Sequence, residues 1–415
     1  MFIRMGRLLV LAGMVGGYAP FLGANELTLE HAVQQALAKH PSLQAQASTV
    51  RAAERHAETL ALGPQWTVGA EVENVLGTGA VSGIRGAEST LRLSRVIEHG
   101  DKLVARQRLG AAMIARQSQV IGRLQVTVAA QAAERYIVVV GHQQRLAILR
   151  SHLTLAKATR TALGRWVQAG RSSDAEALQA HVALIDARLR VEDAEHELDS
   201  ARVALAALWG EANPQFAANG DLDTLPAVAS FAELEAQLPT SIEQQTFAME
   251  SDALHAEREL AASAAKPDYA VSVGVRRLET IDDQTLVFGV SMPLGNAPRS
   301  VLGVARVDAE LAALEARQQA MLWDARQQLY GLYQELEHAR HVVETHQRES
   351  LPAAEAALAA SQRGFEFGRF GFLELNQAQQ GLIDLRLAVL AAQQRYHTLL
   401  VAIDRLTAAH AGDAR

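Results

Sequence analysis

The sequence predicts a mainly α protein with a small β part, built as two structural repeats of very long antiparallel helices and paired short strands. Three observations carry this. The first is a stretch present twice. Gly170-Arg-Ser-Ser-Asp-Ala-Glu-Ala-Leu-Gln-Ala180 returns 198 positions later as Gly368-Arg-Phe-Gly-Phe-Leu-Glu-Leu-Asn-Gln-Ala378. Compared without gaps, 170–208 and 368–406 share 15 of 39 residues, among them Gly, Arg, Glu, Gln and Asp, which a common richness in Ala and Leu does not produce. Self-similarity at a fixed offset marks a duplicated architecture. The second observation is a seven-residue period in both copies. Ala177, Leu184, Val191, Leu198 and Leu205 are each followed three residues on by Ala180, Ala187, Ala194, Ala201 and Leu208. Leu375, Leu382, Val389, Tyr396 and Ile403 likewise precede Ala378, Leu385, Ala392, Leu399 and Leu406. Such a repeat means helices packed side by side over a long distance, and the small Ala positions let backbones approach closely. An ordinary coiled-coil dimer would show the same heptads. The third observation is a switch to period two in two places.

In chain order, Arg4 and Arg7 precede the apolar run Leu8 to Gly17, and small residues follow up to Ala24. This has the form of a signal peptide over 1–24, with an apolar stretch too short and Gly-rich for a spanning helix. No cysteine is available for a lipid anchor. The first repeat is expected over 25–210. Leu27 to Ala38 is an amphipathic helix ending before Pro41, and a second runs from Pro41 to Leu62, stopped by Gly63-Pro64. Trp66, Val68, Ala70 and Val72 then alternate with Thr67, Gly69, Glu71 and Glu73, a strand signal over about 66–75. The turn Gly77 to Gly83 lacks the spacing of a phosphate-binding loop. Leu91 and Leu93 alternate with Arg92 and Ser94 in a second strand over about 87–97. From Lys102 to Val167 there is no proline, which predicts one helix about 100 Å long. Within it, Tyr136 to Val140 has strand propensity but helical flanks. Gly170 supplies the helix stop and Ser or Asp caps the return helix.

The residues 211–230, with Asn213-Pro214, Asn219-Gly220 and Pro226, form a linker, and the plan repeats over 231–410. A helix from about Thr240 to Ala265 ends at Lys266-Pro267. Tyr269, Val271, Val273 and Val275 alternate with Ala270, Ser272, Gly274 and Arg276 over about 269–278. Leu286, Phe288, Val290 and Met292 do so over about 285–293. A long helix follows over about 301–363, strained or kinked near Pro352.

Four strands of about nine residues fit a tilted membrane span, but four cannot close a barrel alone, because exposed edges leave backbone groups unpaired. Several copies must therefore share one barrel. The apolar set Trp66, Val68, Val72, Leu91, Leu93, Tyr269, Val271, Val273, Val275, Phe288, Val290 and Met292 would face lipid, with Trp66 and Tyr269 at strand ends. Glu71, Glu73, Arg92 and Arg276 would face the lumen. A half-buried soluble sheet alternates in the same way.

Composition narrows the function classes. The chain is 49% apolar and only 5% aromatic, with a formal charge of −7 and no basic block, so nucleic acid is not an expected partner. There is no cysteine, no catalytic constellation is recognisable, and no cofactor is implied. His338, His341 and His346 with Glu337 and Glu344 invite a metal reading. Zinc, however, needs three or four converging ligands, and a solvated helix face accounts for them.

With these residues in view, the chain resembles the outer-membrane efflux protein family, the TolC-like channels, over essentially its whole mature length. The resemblance rests on the duplicated Gly-x5-Glu-x3-Ala helix starts (Gly170, Glu176, Ala180; Gly368, Glu374, Ala378) and on Leu27-x4-Ala32-x3-Ala36-Leu37-x2-His40-Pro41. Leu93-Ser-Arg-Val-Ile-Glu-His-Gly-Asp-Lys102 is similar to the cobalt–zinc–cadmium resistance (CzcC-like) branch run Ser-Gln-x-x-Glu-x-x-Gly-Lys, with Arg95 in place of the Gln and Asp101 in place of the Gly. Ser291-Met-Pro-Leu294 fits the same branch.

The family implies a homotrimer in the outer membrane, twelve strands closing one barrel over a periplasmic helical α-barrel. It also implies docking to a periplasmic adaptor and an inner-membrane resistance–nodulation–division pump. By the same resemblance Glu374 would narrow the tunnel, Gln377 stands where a further carboxylate is common, and Glu176 is the first-half counterpart. Gly170, Arg171, Gly368, Arg369 and Phe370 would meet the adaptor at the helix tips. The expected function is passive export of divalent metal ions. Export of organic toxicants or secreted protein is the alternative within that architecture, and a periplasmic coiled-coil adaptor or scaffold the alternative outside it.

Overall fold

The computed structural model describes residues 25–79 and 83–409. The expected signal peptide, the centre of the Gly77–Gly83 turn and the tail from 410 lie outside the described residues. The elements are β1 (Asn25–Leu27), α1 (Leu29–Lys39), α2 (Pro41–Leu60), β2 (Trp66–Glu73), β3 (Glu88–Ile97), α3 (Lys102–Gln168), α4 (Asp174–Ala206), β4 (Phe216–Ala218), α5 (Phe231–Glu235), α6 (Ile242–Ser263), β5 (Tyr269–Leu278), β6 (Asp283–Ser291), α7 (Asn296–Thr345), α8 (Leu351–Glu366) and α9 (Phe372–Thr407). They fall into two compact units.

One unit, 46–121 with 243–321, holds a four-stranded antiparallel sheet in the order β2-β3-β5-β6. Each predicted hairpin forms, and β3 pairs β5 from Glu88↔Leu278 to Ile97↔Tyr269, which joins the hairpins. Asn74 and Asp282 adopt positive φ (55° and 54°) and end the strands where the turns begin. These turns set the borders: β2 stops at Glu73 and β6 starts at Asp283, two residues from the sequence expectation in each case. At the junction Gly274 is obligatory, since a Cβ there would lie 2.7 Å from the Leu91 carbonyl oxygen. Where the strands meet the helices, Lys102 pairs with Asp268 at 2.6 Å, and Arg106 binds Glu98 at 2.5 Å and the Leu60 carbonyl at 3.0 Å.

The other unit, 25–45 with 122–242 and 322–409, is helical. The heptad positions are its core: Ala180, Ala187, Val191, Ala194, Leu198, Ala201 and Leu205 are buried on α4, and Leu375, Leu382, Val389, Tyr396, Leu399 and Ile403 on α9. Tyr136 to Val140 is helical, and Tyr136, Ile137, Val139 and Val140 are buried there. The linker is not featureless. Its β4 pairs in parallel with β1, the Tyr136 hydroxyl lies 2.9 Å from the Leu27 carbonyl and 2.8 Å from that of Asn219, and Tyr396 donates to the Pro226 carbonyl. Burial pushes the Tyr136 hydroxyl up to about 12.

The long helix of the second half is divided rather than continuous. Between α7 and α8, His346–Ser350 form one π-helical turn, in which the Leu351 N–H reaches back to the His346 carbonyl. Pro352 has no N–H to offer the Arg348 carbonyl, so the widened turn absorbs the mismatch without a sharp break.

Candidate functional site

Two surfaces carry the chemistry. On the sheet, residues directly opposite in the register share a face. One face therefore gathers Trp66, Val68 and Val72, then Leu91 and Leu93, then Tyr269, Val271, Val273 and Val275, then Leu286, Phe288 and Val290. All but the half-buried Val271 are open to solvent, Val68 at 69%, Phe288 at 74% and Val290 at 75%. Together they form an exposed apolar patch of the kind that meets a membrane or a partner surface. The outer edges of β2 and β6 have no strand partner among the described residues.

The opposite face holds Glu71, Glu73, Arg92 and Arg276, the four residues expected to be lumen-facing, and the structure brings all four together. Arg92 lies 3.7 Å from Glu71. Arg276 binds Glu73 at 3.0 Å, Glu88 at 2.9 Å and the Thr90 hydroxyl at 3.0 Å. Glu73 and Glu88 are directly opposed across β2 and β3, an arrangement that repels unless a cation sits between them. Asp283 completes the row on the same face, so acids outnumber bases. Glu88 and Asp283 were not singled out with this row, because their alternation begins at the turns.

The second surface is the pair of turns where the long helices reverse. Gly170 and Gly368 both have φ +68°. Gly170 and Arg171 donate to the Val167 and Trp166 carbonyls at 2.9 and 2.8 Å; Gly368 and Arg369 donate to those of Phe365 and Gly364 at the same distances. Every position corresponds at the offset of 198 residues. The turns differ in their rings. Trp166 in the first half is matched by Gly364 in the second, and the Phe370 ring covers Gly364 so closely that a Cβ there would be 2.1 Å from it. Trp166 packs on Phe365 with ring centres 4.3 Å apart, in a buried cluster of Leu163, Ala180, Phe365, Phe372 and Leu375. Arg171 stacks over Trp166 and Arg369 over Phe367. Phe370 remains 46% exposed beside the exposed Phe367 and Leu373, two apolar tip residues not singled out from the sequence.

The expected acidic residues are helix caps. Ser173 caps α4, and Glu176 reaches back to the Ser173 N–H in a capping box. Glu176 also accepts from the Ser172 hydroxyl at 2.5 Å and from the Phe372 N–H of the other half at 3.3 Å. The counterpart of Ser173 is Gly371, which has no hydroxyl, so Glu176 supplies the oxygen that the start of α9 lacks. These hydrogen bonds, from Ser172 first and Phe372 next, hold the Glu176 carboxyl below the usual carboxylate range. It thus caps two helix starts and is partly exposed. Glu374 caps its own helix through the Gly371 N–H at 3.1 Å, yet Glu374 and Gln377 both remain exposed on the first turns of α9.

Between α3 and α9 lies a buried polar layer that periodicity does not reveal. Gln379 donates to Thr159 at 3.2 Å. His152 is 4% exposed, and burial holds it neutral by lowering its pKa. The histidines singled out above are dispersed: His346 bonds Ser350 at 3.2 Å and Glu337 is taken by Arg340 at 2.5 Å. Among the described residues no group of three or more His, Asp or Glu could hold a metal ion.

No family model matches the chain. It is 29% identical over 321 residues to the cobalt–zinc–cadmium resistance protein CzcC of Cupriavidus metallidurans, covering 77% of this chain and 76% of that one. It is 28% identical over 291 residues to the nickel and cobalt resistance protein CnrC of the same organism, covering 69% and 68%. Among solved structures, that of CusC, described in terms of folding and transmembrane channel formation, superposes with a TM-score of 0.77 over 96% of both chains at 14% identity. The chain therefore resembles these two metal-resistance proteins in sequence and shares the fold of the solved channel.

Proposed function

We propose that the chain is the outer-membrane channel subunit of a tripartite efflux system, a passive duct for divalent metal cations delivered by a periplasmic adaptor and an inner-membrane pump. The observation that carries this is the sheet: two unpaired edges, a bare apolar face and an opposite face lined with charge. Backbone groups at such edges must be paired inside a bilayer. Three copies laid edge to edge supply twelve strands, a number that closes a barrel with a wet interior. The excess of carboxylates on the inner face favours cations in transit without binding them tightly, as passage requires.

Glu374 and Gln377 would border the narrow end of the duct, and Gly170, Arg171, Gly368, Arg369 and Phe370 would meet the adaptor. The metal assignment draws on the likeness to resistance proteins for cobalt, zinc, cadmium and nickel. No enzymatic step is part of this reading. Cell fractionation with semi-native electrophoresis should find a heat-dissociable trimer in the outer membrane. A soluble periplasmic monomer would refute the channel. Deleting the protein should lower tolerance to divalent metals; unchanged metal tolerance with new drug sensitivity would move the substrate to organic toxicants.

A further inference from the structure

Among the described residues, the strands carry one cation on the lipid-facing side without a carboxylate partner, Arg95. Arg95 lies opposite Trp66 on β2 and Val271 on β5, and Val271 in turn lies opposite Val290. The row across the sheet is therefore aromatic, cation, apolar, apolar. The Arg95 guanidinium sits 5.1 Å from the centre of the Trp66 ring and forms no ion pair among the described residues. The other arginine on this face, Arg277 at the turn end, is neutralised by Glu279 at 2.8 Å and Asp282 at 2.6 Å. Among the described strand residues, the unneutralised cation on this face lies at the helix-proximal rim, where Trp66 and Tyr269 also sit.

A side chain in such a place buries its stem and directs its head toward the interface. Its natural counter-charge there is the anionic phosphate of a lipid headgroup, and the planar guanidinium suits phosphate oxygens in pairs. We infer that Arg95, held flat by Trp66, is a headgroup site for an anionic phospholipid of the leaflet nearer the helices, and that it fixes the depth of the sheet. This rests on the sheet spanning a membrane, as proposed above.

The test is to reconstitute wild-type, Arg95→Gln, Arg95→Lys and Arg277→Gln oligomers in vesicles of phosphatidylethanolamine with a minor share of phosphatidylglycerol. Ion conductance is recorded first. After gentle detergent extraction, native mass spectrometry then counts retained phosphatidylglycerol. Arg95→Gln should lower retention about fivefold per site, Arg95→Lys should restore most of it, and Arg277→Gln should match wild type. Equal retention by a conducting Arg95→Gln oligomer would overturn the site. So would displacement of the lipid by inorganic phosphate, which would make it a free-anion site. An oligomer that never conducts would strike the channel reading and this one together, so the conductance record separates the two failures.

Discussion

Replacing Arg276 with Gln is the sharpest perturbation of the inner sheet face. Among the described residues Arg276 is the cation contacting Glu73 and Glu88, which lie directly opposite each other with Cβ atoms about 5 Å apart. Without it, two carboxylates at that spacing repel by about 1 kcal/mol in a water-like medium and about 3 kcal/mol at an effective dielectric near 20. Glu88 is 24% exposed and Glu73 43%, so the lower half of that range applies to the repulsion, and the lost charge-assisted bonds add on the order of 1 kcal/mol. A net loss of about 2 kcal/mol corresponds to a fall of roughly 4–8 °C in the melting midpoint of a unit of this size. Differential scanning calorimetry of the detergent-solubilised protein reads that fall. The same substitution adds a negative charge to each subunit's inner face, so reversal potentials in planar bilayers should move toward greater cation preference. The double variant Glu88→Gln with Arg276→Gln should recover most of the stability. An unchanged midpoint, or a shift toward anions, would refute the assignment of this face to the lumen.

At the tips, Glu176→Gln should cost about 1 kcal/mol, read as faster amide exchange at Phe372 and around Ser173. Because the Glu176 carboxyl is held below its usual range in the fold, its contribution is present at neutral pH and disappears as pH falls through the acid end of the carboxylate range. Glu176→Gln should flatten that part of the pH profile. Tyr136 behaves in the opposite sense: its hydroxyl is raised to about 12, so its contribution is full below about 10 and lost as pH rises toward 12. Tyr136→Phe should abolish the alkaline loss while costing about 1–2 kcal/mol at neutral pH, measured by urea unfolding. Gly368→Ala forces a Cβ onto φ +68° and should cost about 1 kcal/mol, with Gly170→Ala matching it. Unequal effects would mean that the two turns are not equivalent.

Much of the architecture was legible because its signals are local. The heptads at Ala177–Leu205 and Leu375–Ile403, the alternation at Trp66–Val72 and Tyr269–Val275, and the stops at Gly63-Pro64 and Lys266-Pro267 each need only neighbouring residues. What escaped depends on distant ones. β1 and β4 are three residues each, too short to show a period, and exist because they meet. Pro352 announced a disturbance but not its form, since whether a helix kinks or widens is set by the packing of its flanks. Glu176 was legible as the counterpart of Glu374 at a helix start. Its capture by Phe372 follows from Gly371 lacking a hydroxyl, visible only when both tips are seen together. Arg95 drew notice as a departure from a motif, and the register showed what surrounds it.

The pairing of β1 with β4 sets an order on assembly. Residues 25–27 find their sheet neighbours at 216–218, close to half the chain further on. As the polypeptide emerges, its leading segment has nothing to zip onto until that point has been delivered. The Tyr136 latch, which touches Leu27 and Asn219 at once, cannot close earlier either. Long-separated contacts of this kind delay folding, so this end of the unit closes late.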